Sequence, residues 1–170
     1  MQPFTNLFLV IALVSSLLLI ANAADTRTTH FPNGQIVERY GLKEYDGRNV
    51  QHGMVTRWYL DGTKAEEVGF NNGRKNGLYS AWYENGQKKL QCRFRNGILD
   101  NEVVAWLEDG RKRFSVNFAS GKQQDQWIRY HEKGGIVASM NFDHDKLDGC
   151  LSAAFDHGYG TVTAVVCPMR

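Results

Sequence analysis

Five glycines, Gly62, Gly86, Gly110, Gly134 and Gly158, stand 24 residues apart, and the residues around them repeat with the same period. Four positions before them lie Trp58, Trp82, Trp106, Tyr130 and Ala154; three before lie Tyr59, Tyr83, Leu107, His131 and Phe155. Eight positions after the first four come Phe70, Phe94, Phe118 and Phe142. A second turn column holds Gly73, Gly97, Gly121 and Asp145. Phe31-Pro32-Asn33-Gly34 is a truncated first copy, offset by 28 residues instead of 24. The surplus fits between Leu42 and Gly53, in a loop around Tyr45-Asp46-Gly47. Several columns at one fixed spacing mark a repeat array, in which each unit buries apolar surface only against its neighbours.

Each unit reads as two strands and two turns. Asp61-Gly62, Asn85-Gly86 and Asp109-Gly110 are hairpin-turn dipeptides, since Asn, Asp and Gly tolerate positive φ. The strand after the turn alternates: Leu90, Cys92 and Phe94 point one way, Lys89, Gln91 and Arg93 the other. Phe114, Val116 and Phe118 repeat this, as do Ala138, Met140 and Phe142, and Val162, Ala164 and Val166. Period two with one apolar face is the pattern of a half-buried strand.

The strand before the turn has two possible registers. A two-residue turn at Asn85-Gly86 sets Ala81 opposite Leu90 and Tyr79 opposite Cys92, with Trp82 on the other face beside Lys89. A three-residue loop with a glycine bulge shifts the pairing by one and reverses the faces. The column Val55, Tyr79, Val103, Trp127 and Leu151 is uniformly apolar, whereas Thr56, Ser80, Val104, Ile128 and Ser152 are mixed. The two-residue register is therefore favoured. It places Trp58, Trp82, Trp106 and Tyr130 as an aromatic ladder on the more polar face.

The unit Phe-x-Asn-Gly-x-x-x-Gly-x-x-x-x-Trp-Tyr-x-Asn-Gly, as at Phe70 to Gly86, resembles the MORN-repeat-variant family. The resemblance runs from about Phe31 to Phe155 and is strongest around Trp58 and Trp82. Asp145 and Ala154 depart from the pattern, as suits terminal, capping repeats. The resemblance implies an all-β fold, an elongated, single-layer antiparallel sheet of tandem 24-residue β-hairpin repeats. Many bacterial members are labelled antitoxin-like, and other MORN proteins serve as scaffolds or have been proposed to bind lipid. The family carries no catalytic motif.

Residues 1–23 read as an export signal: they carry no charged side chain, and Leu7 to Ile20 is almost wholly apolar. As a helix that run spans only about 20 Å, short of a bilayer core of roughly 30 Å. Ala21-Asn22-Ala23 is a small-x-small site, which predicts cleavage between Ala23 and Ala24. The repeat domain, about five units with a capping first strand and last hairpin, then occupies residues 24–170, and the protein is expected to be periplasmic or secreted. A net charge of +2 without a basic cluster argues against nucleic acid as a partner.

The candidate chemistry is thin. The histidines His30, His52, His131, His144 and His157 fall at separate repeat positions, mostly turns. Asp143-His144-Asp145 with Asp148 is the most polar cluster, but its spacing matches no standard metal site and turns favour Asp on their own account. No nucleophile elbow, zincin motif or phosphate loop is present. The expectation is a non-enzyme with no metal and no cofactor. Cys92 falls in an apolar column and reads as a buried small hydrophobe. Cys150 and Cys167 flank the last hairpin and are the expected disulfide, although ideal pairing sets Cys150 opposite Val165. The binding candidates are Trp58, Trp82, Trp106 and Tyr130, which either present a surface to a partner or pack internally against stems such as those of Lys89 and Arg113. The partner expected first is a protein, with a glycan or lipid as the alternative.

Overall fold

The computed structural model describes residues 25–149, 151–156 and 161–166. They form one open antiparallel sheet of 15 strands, and none of them is helical. The strands are β1 (Asp25–His30), β2 (Ile36–Tyr45), β3 (Arg48–Gln51), β4 (Gly53–Trp58), β5 (Lys64–Asn71), β6 (Arg74–Trp82), β7 (Lys88–Arg95) and β8 (Ile98–Leu99). They continue as β9 (Asn101–Trp106), β10 (Lys112–Ala119), β11 (Lys122–Tyr130), β12 (Ile136–Asp143), β13 (Lys146–Leu147), β14 (Leu151–Asp156) and β15 (Thr161–Val166). The spatial path is β1-β2-β4-β5-β6-β7-β9-β10-β11-β12-β14-β15, with β3, β8 and β13 as short leading segments on β2, β7 and β12. Neighbours in sequence are thus neighbours in space, as tandem hairpins require. The signal segment with Ala23 and Ala24, and also Cys150, His157, Gly158 and Cys167, lie outside the described residues.

One apolar stripe crosses the sheet. Val55 faces Val68, Val68 faces Tyr79, and Tyr79 faces Cys92. Val103 faces Val116, Val116 faces Trp127, and Trp127 faces Met140. Cys92, Val103 and Val116 form a buried cluster, with Tyr79, Leu90, Phe94, Leu99, Phe114, Phe118 and Trp127 packed around it. Cys92 is 4% exposed, and burial pushes its thiol above the ordinary range, so it behaves as the small hydrophobe its column predicts.

The turns alternate between two designs, and here the structure corrects the expected hairpin. The two-residue loops are Asp46-Gly47, Asn72-Gly73, Asn96-Gly97, Ser120-Gly121 and His144-Asp145, each with positive φ at both residues. That is the type I′ geometry that matches strand twist. The loop at Asn85-Gly86 is instead three residues, Glu84-Asn85-Gly86: Tyr83 N–H donates to the Gln87 carbonyl and Gly86 N–H to the Tyr83 carbonyl. This shifts the pairing by one, so that Trp82 faces Lys88. A bulge at Lys89 then shifts it back, and Ala81 faces Leu90 as the apolar columns demand. The same bulge recurs at Val37, Ala65, Arg113 and Val137. The core register is therefore the expected one, reached through a different turn and a compensating bulge.

Successive units are stitched at the two-residue turns. Gly73, Gly97 and Gly121 donate their N–H to the carbonyls of Gln51, Lys75 and Leu99 at 2.7–2.8 Å, and Asp145 donates to Gln123 at 3.0 Å. Asp145 thus keeps the role of the glycine it replaces, with φ at 70°. In the last hairpin Leu151 faces Val166, two residues away from the expected register. The pairing of Cys150 with Cys167 itself falls outside the described residues.

Candidate ligand-binding face

Trp58, Trp82, Trp106 and Tyr130 end β4, β6, β9 and β11 on the face opposite the apolar stripe, all half-buried. Across each three-residue loop they face Lys64, Lys88, Lys112 and Ile136. Each lysine ammonium then lies over the ring of the following unit: Lys64 over Trp82 at 5.4 Å, Lys88 over Trp106 at 5.7 Å, Lys112 over Tyr130 at 5.9 Å. Arg39 covers Trp58 at 5.4 Å. Along the strand order β2, β4, β5, β6, β7, β9, β10, β11, cation and ring alternate without a break. The expected stems of Lys89 and Arg113 are not the ones in this row. The bulges remove them from it, and Lys89 lies over Tyr83 at 5.3 Å.

The rings are therefore not bare platforms, because their faces are taken by cations from within the sheet. Lys64 is ion-paired with Glu67, and Lys88 Nζ donates to Gln91 Oε1 at 2.9 Å, which fixes both stems. Beside the ladder runs a row of mostly small residues: Thr56, Glu67, Ser80, Gln91, Val104, Ser115, Ile128, Ser139 and Ser152, each facing the next. Ser80 and Ser115 are buried although no second layer of described residues covers them. A shallow concavity of about 250 Å³ lies at this row, lined by Leu78, Gln91, Arg93, Asn101, Glu102 and Val104.

The tyrosines next to the tryptophans are structural. Tyr59 donates its hydroxyl to the Trp82 carbonyl at 2.7 Å, and Tyr83 donates to the Trp106 carbonyl at 2.9 Å, each tying one unit to the next. His131, in the same column, accepts from Lys133 N–H in its own turn. His52 Nδ1 faces the Asn72 N–H at 3.5 Å, and Asn76 Oδ1 accepts from Asn96 N–H at 3.2 Å, so this pair of equivalent residues supports the following turn. The polar cluster near the last turns is used locally. His144 pairs with Asp143, whose carboxyl that contact holds below its usual range, and Asp145 accepts from Gln123 N–H at 2.7 Å. Among the described residues no three metal-ligating side chains converge.

A second constellation, on the apolar face, escaped the sequence reading. Arg57 lies between Glu38 and Glu66, at 2.8 and 2.7 Å. Burial works against its charge, but the hydrogen bonds to Glu66 and Glu38 outweigh it and hold the guanidinium above its usual range. Tyr79 donates to Glu66 at 3.0 Å. The cluster borders a concavity of about 380 Å³ with Val37, Ala81 and Leu90. Burial, then the charge and hydrogen bond of Glu66, push Tyr79 up from 10.0 to about 12.

A tyrosine held above its unfolded value binds its proton more tightly when folded. Its stabilisation is complete below pH 10 and is lost as pH rises through about 12. After screening of a half-buried group this is worth about 1 kcal/mol. The denaturant midpoint is expected to fall between about pH 10 and 12 more steeply in the wild type than in Tyr79→Phe. Parallel pH profiles of the two would remove Tyr79 from the account.

No curated protein matches the chain. Residues 75–96, which run from one two-residue turn to the next through β6, the three-residue loop and β7, match the family described as the MORN repeat variant, and the chain carries that repeat within its array of hairpins.

Proposed function

We propose that the protein is an exported, non-enzymatic binding or scaffold module that engages its partner through the ladder face. A MORN-type repeat array is itself compatible with a binding or scaffold role. The observation that carries the reading is the repetition of Trp58, Trp82, Trp106 and Tyr130 with their cations on the face that does not carry the apolar stripe. The stripe carries the buried apolar cluster, and the ladder face is a second regular surface that a partner can reach. The first reading of the partner is a protein, in the manner of an antitoxin or immunity protein. The row of cations favours a second, a glycan at the cell surface.

Export is tested by the mass of the protein recovered outside the cytoplasm, expected to begin at Ala24. Face use is tested by retention of partners from that fraction on immobilised wild type and on Lys88→Gln/Lys112→Gln. A specific partner lost by the variant supports the reading, and equal retention by both overturns it.

A further inference from the structure

Three features compete for a further role. The Glu38–Arg57–Glu66–Tyr79 cluster is internally satisfied, and Cys92 is buried in the stripe. The ladder face leaves something unspent, namely cations at a fixed period. Lys64, Lys88 and Lys112 recur every second strand, which spaces them by about 9.5 Å at the usual strand separation. Arg39 extends the series on β2, from one row further along the strand. Lys64 is neutralised by Glu67, whereas Lys88 is held by the neutral Gln91. On this face Arg93 adds positive charge and Glu102 negative charge, so the surface is cationic on balance.

The spacing selects among polyanions. An extended peptide places same-face residues about 6.7 Å apart, which does not match a cation every second strand. B-form DNA advances about 3.4 Å per phosphate along each strand, so only about every third phosphate would meet a cation and the charges between would stay unpaired. A linear glycan whose acidic sugars alternate with neutral ones does: each ring advances the chain by roughly one strand separation, and its carboxylates fall two rings apart. The neutral ring of each pair then lies over Trp82 or Trp106, and the row of small residues gives the chain a track across the strands. The partly positive ring edges meet the oxygens of the sugars, while the ring faces remain committed to holding the lysines.

We infer that the ladder face binds a linear acidic polysaccharide with one carboxylate per disaccharide, through Lys88 and Lys112, which the repeat spaces, with Arg39 adding charge four strands from Lys88 and one row further along. The inference rests on the reading of this face as the binding surface and names its ligand.

The test titrates the protein with sodium hyaluronate oligosaccharides by calorimetry at low and at physiological salt. Binding that weakens with salt is expected, with an affinity loss of about tenfold in Lys88→Gln/Lys112→Gln. Lys89→Gln removes the same kind of charge from the opposite face and is expected to bind as wild type. Unfolding curves of each variant establish that the sheet is intact. Equal loss in Lys89→Gln, or equal or tighter binding of polygalacturonate, oligo-dT or phosphatidylglycerol vesicles, overturns the inference. Absence of hyaluronate binding with a partner still retained through Lys88 and Lys112 overturns the ligand alone, and absence of both overturns the reading of the face as well.

Discussion

Trp127→Ala is expected to lower the stability of the protein by about 3 kcal/mol, the lower end of the cost of truncating a core tryptophan. Trp127 is half-buried in the apolar stripe, facing Val116 on β10 and Met140 on β12. It packs against the cluster of Cys92, Val103 and Val116, where Val116 is only 6% exposed. In a single-layer sheet no facing layer can collapse into the space left behind, so the lost surface becomes wet. Repeat arrays are stabilised by nearest-neighbour terms, so the loss falls on the interface between β10 and β12 and spreads little beyond it. Thermal unfolding should therefore broaden or split, with a midpoint roughly 12–24 °C lower for the segment after β10. Amides of β6 and β7 should keep their exchange protection while those of β12 and β14 lose theirs. A variant that melts in one step with a loss under about 1 kcal/mol would show that the stripe does not depend on this ring.

The same stripe explains what could be read from the chain and what could not. Val55, Tyr79, Val103 and Trp127 are apolar in every copy, and a period of two then settles which face is core. The partner of each ladder tryptophan was not legible. Its identity depends on a one-residue bulge at Val37, Ala65, Lys89, Arg113 and Val137, positions that share no chemistry. Two irregularities cancel over the core rows and leave the pattern of alternation undisturbed, so the alternation cannot reveal them. The turn dipeptides misled for a related reason. Asn72-Gly73 and Asn85-Gly86 are the same pair of residues, yet one makes a two-residue turn and the other closes a three-residue loop. The Arg57 cluster did leave a trace. Arg57 and Glu66 each lie two positions from a stripe valine, Val55 and Val68, so both are charged residues at core-facing positions. Charges so placed need partners, and these two find each other and Glu38.

Gly69→Ala is expected to cost about 2 kcal/mol, through space and not through backbone conformation. A Cβ at Gly69 would lie 2.5 Å from the carbonyl oxygen of Asn76, a backbone atom that cannot swing aside, and Gly69 itself does not have a positive φ. The crowding comes from the pairing. Val68 faces Tyr79 but Phe70 faces Lys75, so Asn76, Gly77 and Leu78 are all accommodated opposite Gly69. Arg93, Asn117 and Asn141 stand at this column in later units, so a hairpin can open enough to take a side chain here. In the β5–β6 hairpin that opening would pull at the next pair, Val68 with Tyr79, which joins the stripe to the Glu66 hydrogen bond. The loss should therefore be shared with Tyr79. In Gly69→Ala the tyrosine should titrate closer to its unfolded value, and in Gly69→Ala/Tyr79→Phe the two costs should sum to less than their separate values. Additive costs, or an unchanged midpoint for Gly69→Ala, would mean that the strand pair yields locally and that the glycine serves only to leave the surface between Met54 and Leu78 open.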